Sequence, residues 1–398
     1  MFLPSTPTPP ARRRRGTAVP WLIIALFAII FIQLLTLKTI SLNHRKQELQ
    51  QGADAAALAA ARALVDEELL TDHDNRRQTV KQRAADAALR FARLNKVDGQ
   101  PLALDYRPDD YAASELVFGN LNDSRSKNFL ADPKLLPDLD PTALNTARVK
   151  VIRRGAAAAA TAHVRRDVLG FKPQGKAPLP VVPLAVRAAW WDQQLAQRNN
   201  QWFRDPRTRQ PVKVSDQKAG DDRIPEVTVC FQAGDTDDSG RVLQVGNVAP
   251  GDTAGRQTLN GIARADLRPL GGRLTLGQGP SQNLLLLPRQ PLSGNDLATL
   301  QQSLLALRAT GERRVWMLYS PDLDADANPP SGTKRTGVVG FVAAQVMDVQ
   351  LDKDTGRLCV VLQPGMRITV TALTDATRRT LGPRSLFNPY VCRVGLTE

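Results

Sequence analysis

The residues from Ala18 to Leu37 constrain this chain most, because they form an apolar run of 20 residues broken by a single amide, Gln33. Twenty residues of α-helix rise about 30 Å, which is the thickness of the hydrocarbon core of a bilayer. Trp21 lies near one end of the run, where an indole ring favours the membrane interface. Four arginines, Arg12 to Arg15, stand directly before it. A buried core helix is the alternative, but the length and the arginine block predict a transmembrane helix over residues 17–42.

The charges on either side of this helix predict its orientation. Four arginines precede it, whereas Lys38, Arg45 and Lys46 follow it. The positive-inside rule therefore favours a cytoplasmic N-terminus, so residues 1–16 are expected to be a disordered basic cytoplasmic tail. The bulk of the chain would lie outside the cytoplasm, held by one pass through the cytoplasmic (inner) membrane. A cleaved secretory signal is the alternative, but the first small-x-small triplet, Ala53-Asp54-Ala55, lies well past the apolar run.

Length and charge limit the classes of partner. A chain of 398 residues leaves room for two or three modest domains after the anchor. The net charge of +14 is high, but the basic residues form no block after Arg15 and no nucleic-acid-binding motif occurs. We therefore predict no nucleic acid partner. Anionic lipid, an envelope polymer or an acidic protein are the alternatives for a diffusely basic surface.

Residues 43–98 are predicted to form an extended helical stalk beyond the membrane. Eight of the twelve residues from Ala53 to Leu64 are alanine, and Gly52, Ala56 and Ala60 stand four apart. Small residues at this spacing let another backbone approach closely. The pattern predicts a packing seam, against a partner helix or against the globular part of this chain. An exposed stalk that is simply rich in helix-forming residues is the alternative.

The rest of the chain predicts an α+β fold in two parts. We expect an α+β domain over residues 99–203, a polar linker over 204–222 and a mainly-β domain over 223–398. The first part is expected to contain these strands: Leu102–Tyr106, Glu115–Gly119, Ala147–Arg153 and Val181–Val186. Helices are predicted at Asn75–Leu94, Gly155–Leu169, Trp190–Trp202 and Gly294–Thr310. The strands expected in the second part are Glu226–Gln232, Arg241–Val248, Gly272–Leu276, Asn283–Leu287, Arg313–Tyr319, Val338–Gln350, Arg357–Gln363 and Arg367–Leu373.

Candidate residues for catalysis are few. The three histidines, His44, His73 and His163, have neither the spacing of metal ligands nor that of a catalytic triad. No GxSxG, P-loop or dinucleotide-binding motif occurs. We therefore predict no enzymatic activity, no cofactor and no metal site.

Two acidic loops are the remaining candidates for a ligand. The segment from Asp235 to Gly240 resembles the first half of a calcium loop, but Gly246 stands where a bidentate glutamate belongs. The Asp322–Asn328 loop has oxygen-bearing side chains at every second position and ends in two prolines. Turns use the same residues for backbone reasons alone, so calcium binding at Asp322–Asn328 stays open. Four carboxylates of these loops would also have to serve a hidden hydrolase: Asp235, Asp237, Asp322 and Asp324.

Three cysteines, Cys230, Cys359 and Cys392, allow one disulfide if the compartment is oxidising. Cys359 and Cys392 are the nearest pair in sequence. The alternative is that all three are small buried hydrophobic residues.

The block from Arg12 to Gly16, the apolar span and the alanine-rich segment Leu49–Ala61 together resemble the N-terminal segment of the TadG/TadE-like family. These are membrane-anchored, pseudopilin-like proteins associated with Flp (tight-adherence) pilus assembly. Asp54 and Leu58 within the alanine helix make the resemblance specific. It implies a non-catalytic pilus-assembly accessory of the minor pseudopilin type. Such a protein would contact other pilus-assembly or envelope proteins through the Gly52–Ala61 helix.

The chain also departs from filament-forming pilins. A type IV prepilin has an aromatic residue or methionine after its glycine and a glutamate at the fifth mature position, whereas Thr17 and Trp21 stand here. The departure implies a retained anchor. Further stretches resemble large planctomycete members of the same group: Val164–Ala185, Leu259–Gly272, Arg314–Tyr319, Gly337–Phe341 and Val361–Pro364. The alternative function is a membrane-anchored extracytoplasmic protein that binds or processes a polymer or carbohydrate.

Overall fold

The computed structural model describes residues 18–71, 76–121, 129–131, 144–205, 207–208, 210–216, 223–232, 239–246, 252–276, 285–325, 334–352, 354–374 and 388–397. The predicted tail over residues 1–16 lies outside these ranges. The described α-helices are α1 (Ala18–Ala63), α2 (Arg76–Leu94), α3 (Ala188–Gln197), α4 (Asp252–Asn260) and α5 (Gly294–Thr310). The fold class is α+β, as predicted, and it begins with a long helix whose first half is apolar.

The described strands of the first half of the chain are β1 (Lys96–Val97), β2 (Gln100–Pro101), β3 (Leu116–Leu121), β4 (Phe129–Ala131), β5 (Thr146–Arg153), β6 (Ala156–Arg165), β7 (Val168–Phe171), β8 (Val181–Arg187), β9 (Trp202–Arg204) and β10 (Pro211–Lys213). Those of the second half are β11 (Val227–Gln232), β12 (Gly240–Val242), β13 (Leu274–Thr275), β14 (Leu285–Pro288), β15 (Arg314–Ala325), β16 (Arg335–Asp352), β17 (Arg357–Pro364), β18 (Arg367–Ile368), β19 (Ala372–Thr374) and β20 (Val391–Leu396).

The first sheet supports the N-terminal helices. Its strand order is β18-β20-β6-β5-β3-β4. The second half of α1 packs on β5, β6 and β20, and α2 packs on α1. Alanines of α1, an apolar stripe of α2 that includes Val80, Ala84 and Ala88, and inward residues of the sheet form one core. Residues 49–71 and 76–97 therefore belong to a folded unit, whereas an extended stalk was predicted over residues 43–98.

The helix predicted over Gly155–Leu169 is wrong, because its five consecutive alanines lie in strand β6. The strand pairs antiparallel with β5 along its length, from Ala156 opposite Arg153 to His163 opposite Thr146. Burial alternates along its first seven residues, as in a strand with one covered face. Alanine has a high helix propensity, but here tertiary packing overrides it. Small side chains on the inner face are what allow α1 to approach the sheet.

The second sheet has the strand order β11-β17-β16-β15-β8-β12, and β14 also pairs with β16. Its two edges approach each other, because Ser239 Oγ lies 2.9 Å from the amide nitrogen of Cys230 and 3.2 Å from its carbonyl oxygen. Gly240 fits there because a Cβ would lie only 2.7 Å from Val229 Cγ1. One face of this curled sheet forms a core with α3 and α5. The other face packs with the residues of a small sheet, β13-β7-β19.

Helix α5 confirms its prediction to the residue. Ser293 precedes it, and Ser293 and Asp296 form a reciprocal capping box. Gly311 ends it in the left-handed conformation with φ of 60°. The helix buries Leu297, Leu300, Leu304 and Leu307 against the second sheet.

The division into consecutive domains differs from the observed topology. Strand β8 precedes the predicted linker yet lies in the second sheet, beside β15 and parallel to it. Strand β20, near the end of the chain, pairs with β6 in the first sheet. The predicted linker, residues 204–222, contributes part of the β9–β10 hairpin. Each sheet therefore contains strands from both parts of the chain, and the two sheets do not correspond to consecutive segments.

Smaller differences concern single elements. Residues 102–106, predicted as a strand, have no strand structure, although Leu102 and Leu104 are buried. The predicted Trp190–Trp202 helix ends at Gln197, and Trp202 begins β9. The strand predicted over Arg367–Leu373 is divided between β18 and β19, and the short helix α4 was not predicted.

Candidate functional site: the N-terminal helix and the cleft at its end

The first half of α1 is exposed to its surroundings over its whole circumference. Every residue from Trp21 to His44 is exposed, including Trp21 and Phe27, each with 69% of its surface accessible. Contiguous apolar surface of this extent is not stable in water. In the described part of the chain, this is the one helix that is long and apolar enough to cross a membrane. The finding agrees with a single-pass anchor.

The polar side chains near the end of the apolar run are suited to a low-dielectric environment. Thr36 Oγ donates to the carbonyl oxygen of Ile32 at 2.8 Å, and Thr39 Oγ donates to that of Leu35 at 2.9 Å. A hydroxyl that bonds to its own helix needs no water. Both threonines can therefore lie in or next to the hydrocarbon without an unsatisfied donor.

The small residues in the second half of α1 form a packing seam inside the protein. Gly52 is buried, and Ala53, Ala56, Ala57, Ala60 and Ala61 have no accessible surface. Alanines of β6 lie in the same core: Ala156, Ala158, Ala160 and Ala162. Two partners were expected for this seam, a separate helix or the globular part of the same chain. In the structure the seam packs against the globular part of the same chain. The buried residues of the Gly52–Ala61 helix therefore pack on the chain itself, whereas Asp54, Ala55, Leu58 and Ala59 are half-buried. The partner contact predicted through this helix stays a prediction.

A cleft of about 960 Å³ lies where α1 ends. Arg62 and the short 3-10 helix Glu67–Leu70 line one side, and the loop after α5 and the start of β18 line the other. Glu67 Oε2 and Arg313 Nη2, 2.5 Å apart, form an ion pair across it. Glu312 pairs with Arg367, and the buried position of Arg367 lowers the pKa of its guanidinium.

Several polar side chains that line this cleft bond to one another or to its backbone. Arg204 Nη1 donates to the carbonyl oxygen of Gly311 at 2.9 Å and to Gln345 Oε1 at 3.2 Å. Gln345 Nε2 in turn donates to Gln363 Oε1 at 2.6 Å. The arrangement joins the end of α1 to the second sheet through ion pairs and hydrogen bonds. Sequence reasoning missed it, because the paired residues are far apart in the chain and no local motif links them.

The cysteines form a different pair from the nearest one in sequence. Cys230 on β11 and Cys359 on β17 face each other in the strand register and are joined by a disulfide. Cys392 is a free, fully buried thiol in the core of the first sheet. Burial raises the pKa of this thiol to about 11, although Arg166 lowers it in part.

The predicted histidine and carboxylate positions form no common site in the described residues. His44 is exposed on α1, 3.4 Å from Glu48, and His163 is buried in β6. His73 and residues 233–238 lie outside the described ranges, as does the Asp322–Asn328 loop beyond residue 325. Among the described residues, no group of three or more histidine, cysteine, aspartate or glutamate side chains could hold a metal ion.

Comparisons with known proteins agree with the structural reading of α1. Comparisons with curated proteins and with solved structures gave no match. Residues 16–63 match the family described as "Putative Flp pilus-assembly TadE/G-like". The matched residues end where α1 ends, at Ala63, so they cover the exposed apolar run and the internal seam together. The chain therefore begins with a TadE/G-like segment of the kind associated with Flp pilus assembly.

Proposed function

We propose that this chain is a non-catalytic, membrane-anchored envelope protein that assists Flp pilus assembly as a TadE/G-like minor pseudopilin. The observation that carries the proposal is the continuity of α1. One helix provides both the exposed apolar run and the buried seam, and the family match covers both parts. The globular part would act through protein–protein contacts on the far side of the membrane.

The disulfide supports an extracytoplasmic location for the globular part. Disulfides form and persist in oxidising compartments and are rare in the cytosol. The Cys230–Cys359 bond links two neighbouring strands of the second sheet, well inside the part that follows the anchor. This agrees with the charge pattern, in which Arg12 to Arg15 precede the span. The proposed location is the cytoplasmic (inner) membrane, with a single pass and the C-terminal bulk outside.

The structure also changes where partner contacts are sought. Because the Gly52–Ala61 face is buried, a deletion there would unfold the first sheet and would not test partner binding. The exposed face of the apolar run remains available to another helix within the membrane. Polar and small residues commonly mediate such contacts, and Gln33 is the one amide in the run.

The proposal is tested in the cell that produces the protein. The segment from Ala18 to Leu37 is replaced by an unrelated apolar helix of equal length, and a Gln33→Leu variant is made beside it. The amount of the protein in the membrane fraction is then measured, and surface pili are counted. A role in assembly that includes a helix contact within the membrane predicts normal membrane content with loss of pili in the replacement. Normal pili in a strain that lacks the protein altogether would contradict the proposal.

A further inference from the structure

We propose that two hairpin tips beside the base of the span form a surface that binds anionic lipid headgroups. The tips are residues 97–100, between β1 and β2, and residues 153–156, between β5 and β6. We call these tips, together with residues 38–48 of α1, the membrane-proximal surface. The inference rests on the proposed function, because it requires the apolar half of α1 to lie in a bilayer.

Three contacts hold both tips at the base of the span. Arg45 Nε donates to Asp98 Oδ1 at 2.7 Å, and Arg154 Nη1 donates to Asp98 Oδ2 at 3.3 Å. The amide of Asp98 donates to Glu48 Oε2 at 3.0 Å. Arg45 comes three residues after Leu42, which corresponds to about 4.5 Å along a helix axis. With the predicted span, residues 17–42, across the hydrocarbon and its headgroup regions, both tips therefore lie next to the headgroups.

Both tips are narrow two-residue turns that can approach a surface closely. Asp98 and Gly99 have φ of 51° and 77°, and Arg154 and Gly155 have φ of 47° and 81°. Positive φ at both central residues is the pattern of a type I′ hairpin turn. At both glycines, a Cβ would meet nothing within 4 Å, so open space lies beside each glycine.

The charges of this surface favour an anionic ligand. Its basic side chains are Lys38, Arg45, Lys46, Arg153 and Arg154, with Lys96 directly before the first tip, and its acidic ones are Glu48 and Asp98. Arg153 is paired with Glu115 outside this surface. Asp98 is shared between Arg45 and Arg154, and the side chain of Arg154 is still 68% exposed. An excess of positive charge therefore remains. Basic residues next to an anionic membrane each strengthen its binding.

Exposed apolar side chains complete the pattern. Ile152, one residue before the second tip, is 70% exposed on the outer face of the first sheet. Leu94, two residues before β1, is 72% exposed. Large apolar side chains beside basic ones are typical of surfaces that rest in the interfacial region of a bilayer. A lipid surface accounts for both features, whereas an acidic soluble protein accounts for the charge alone.

The test measures depth in the full-length protein reconstituted into vesicles. A fluorophore is attached to a thiol introduced by Ile152→Cys, and quenching by headgroup-labelled lipid is recorded. Cys392 is buried and the other two cysteines are bonded to each other, so the introduced thiol is the reactive one. Val370→Cys is the matched control, since Val370 is 60% exposed and follows β18, which borders the cleft at the other end of α1. Leu42→Cys reports insertion of the span.

We expect stronger quenching at position 152 in vesicles that contain phosphatidylglycerol than in pure phosphatidylcholine or at high salt, and none at position 370. Lys96→Glu should lower the quenching at 152, whereas Lys176→Glu, on the exposed loop between β7 and β8, should leave it unchanged. A label at 152 as unquenched as that at 370, with position 42 quenched, would overturn the inference alone. Equal quenching at 152 in both lipids would overturn the recognition of anionic headgroups. An unquenched label at position 42 would instead contradict the anchor itself.

Discussion

At the scale of single residues, Gly52 sets how closely α1 can approach its surroundings. A Cβ there would lie 2.7 Å from Leu102 Cδ2 and 3.5 Å from Asn95 Cβ. We expect Gly52→Leu to lower the free energy of unfolding by about 1–3 kcal/mol, because extra atoms overpack a filled core. Labelling of the buried Cys392 thiol across a urea series, in detergent-solubilised protein, measures this. Gln51→Leu is the control, since Gln51 is exposed. Equal urea midpoints for the two variants would contradict this packing.

The same thiol predicts a dependence of stability on pH. The pKa of Cys392 rises from an ordinary 9.0 to about 11 on burial, so the folded protein holds this proton more tightly than the unfolded one. The stabilisation is therefore complete below about pH 9 and is lost as the pH rises through about 11. We expect the wild type to lose on the order of 2–3 kcal/mol more than Cys392→Ala over this window. Urea unfolding followed by tryptophan fluorescence at several pH values measures it. Parallel losses in the two proteins would show that Cys392 is not the group responsible.

At the scale of elements, β6 offers a matched pair of substitutions. Ala160 is 5% exposed and faces α1, whereas its neighbour Ala159 is exposed on the outer face of the sheet. Ala160→Leu should destabilise by about 1–3 kcal/mol, because it pushes α1 from the sheet. Ala159→Leu should change stability by less than about 0.5 kcal/mol, as expected for a surface site. Both are measured by the urea midpoint of Cys392 labelling. A helix over these residues would not produce this alternation between neighbours.

The elements also show what could be predicted from the sequence. Helix α5 was correct at both ends, because its capping serine, its leucine spacing and its terminal glycine are all local signals. Strand β6 was missed, because alanine has no β-branched or aromatic signal and its strand structure depends on β5 and α1. The disulfide pairing also depends on contacts between distant strands, so it could not be predicted either. Cys230 meets Cys359 through the register of β11 on β17, which sequence spacing does not contain.

The β11–β17 disulfide should contribute measurably to the second sheet. It joins residues 129 positions apart, so it restricts a long loop of the unfolded chain. We expect reduction, or the Cys230→Ala/Cys359→Ala double variant, to lower the free energy of unfolding by about 2–5 kcal/mol. Chemical denaturation followed by tryptophan fluorescence, with and without reductant, measures the effect. The double variant is the control for reductant itself, because it should respond no further. An unchanged midpoint after reduction would contradict the prediction.

At the scale of the whole molecule, α1 joins the exposed apolar run to the fold. Four features follow one another along α1 and into the turn beyond it. They are the apolar run, the Arg45–Asp98 contact at its base, the alanine seam and the Glu67–Arg313 ion pair. The span was predictable from the sequence, because an apolar helix of this length is a local feature. The exchange of strands β8 and β20 between the two sheets was not, since it depends on contacts between distant parts of the chain. The apolar half of α1 therefore continues directly into the folded body, with no separate helical stalk between them.

One measurement tests the central claim that α1 anchors this body on the extracytoplasmic side. Lys176→Cys places a thiol on an exposed loop of the globular part. Cells with an opened outer envelope are treated with a membrane-impermeant maleimide, before or after permeabilisation of the cytoplasmic membrane, and their membranes are washed at alkaline pH. The account predicts full labelling without permeabilisation and a protein that stays in the washed membranes. Labelling only after permeabilisation, or release of the protein by the wash, would contradict it.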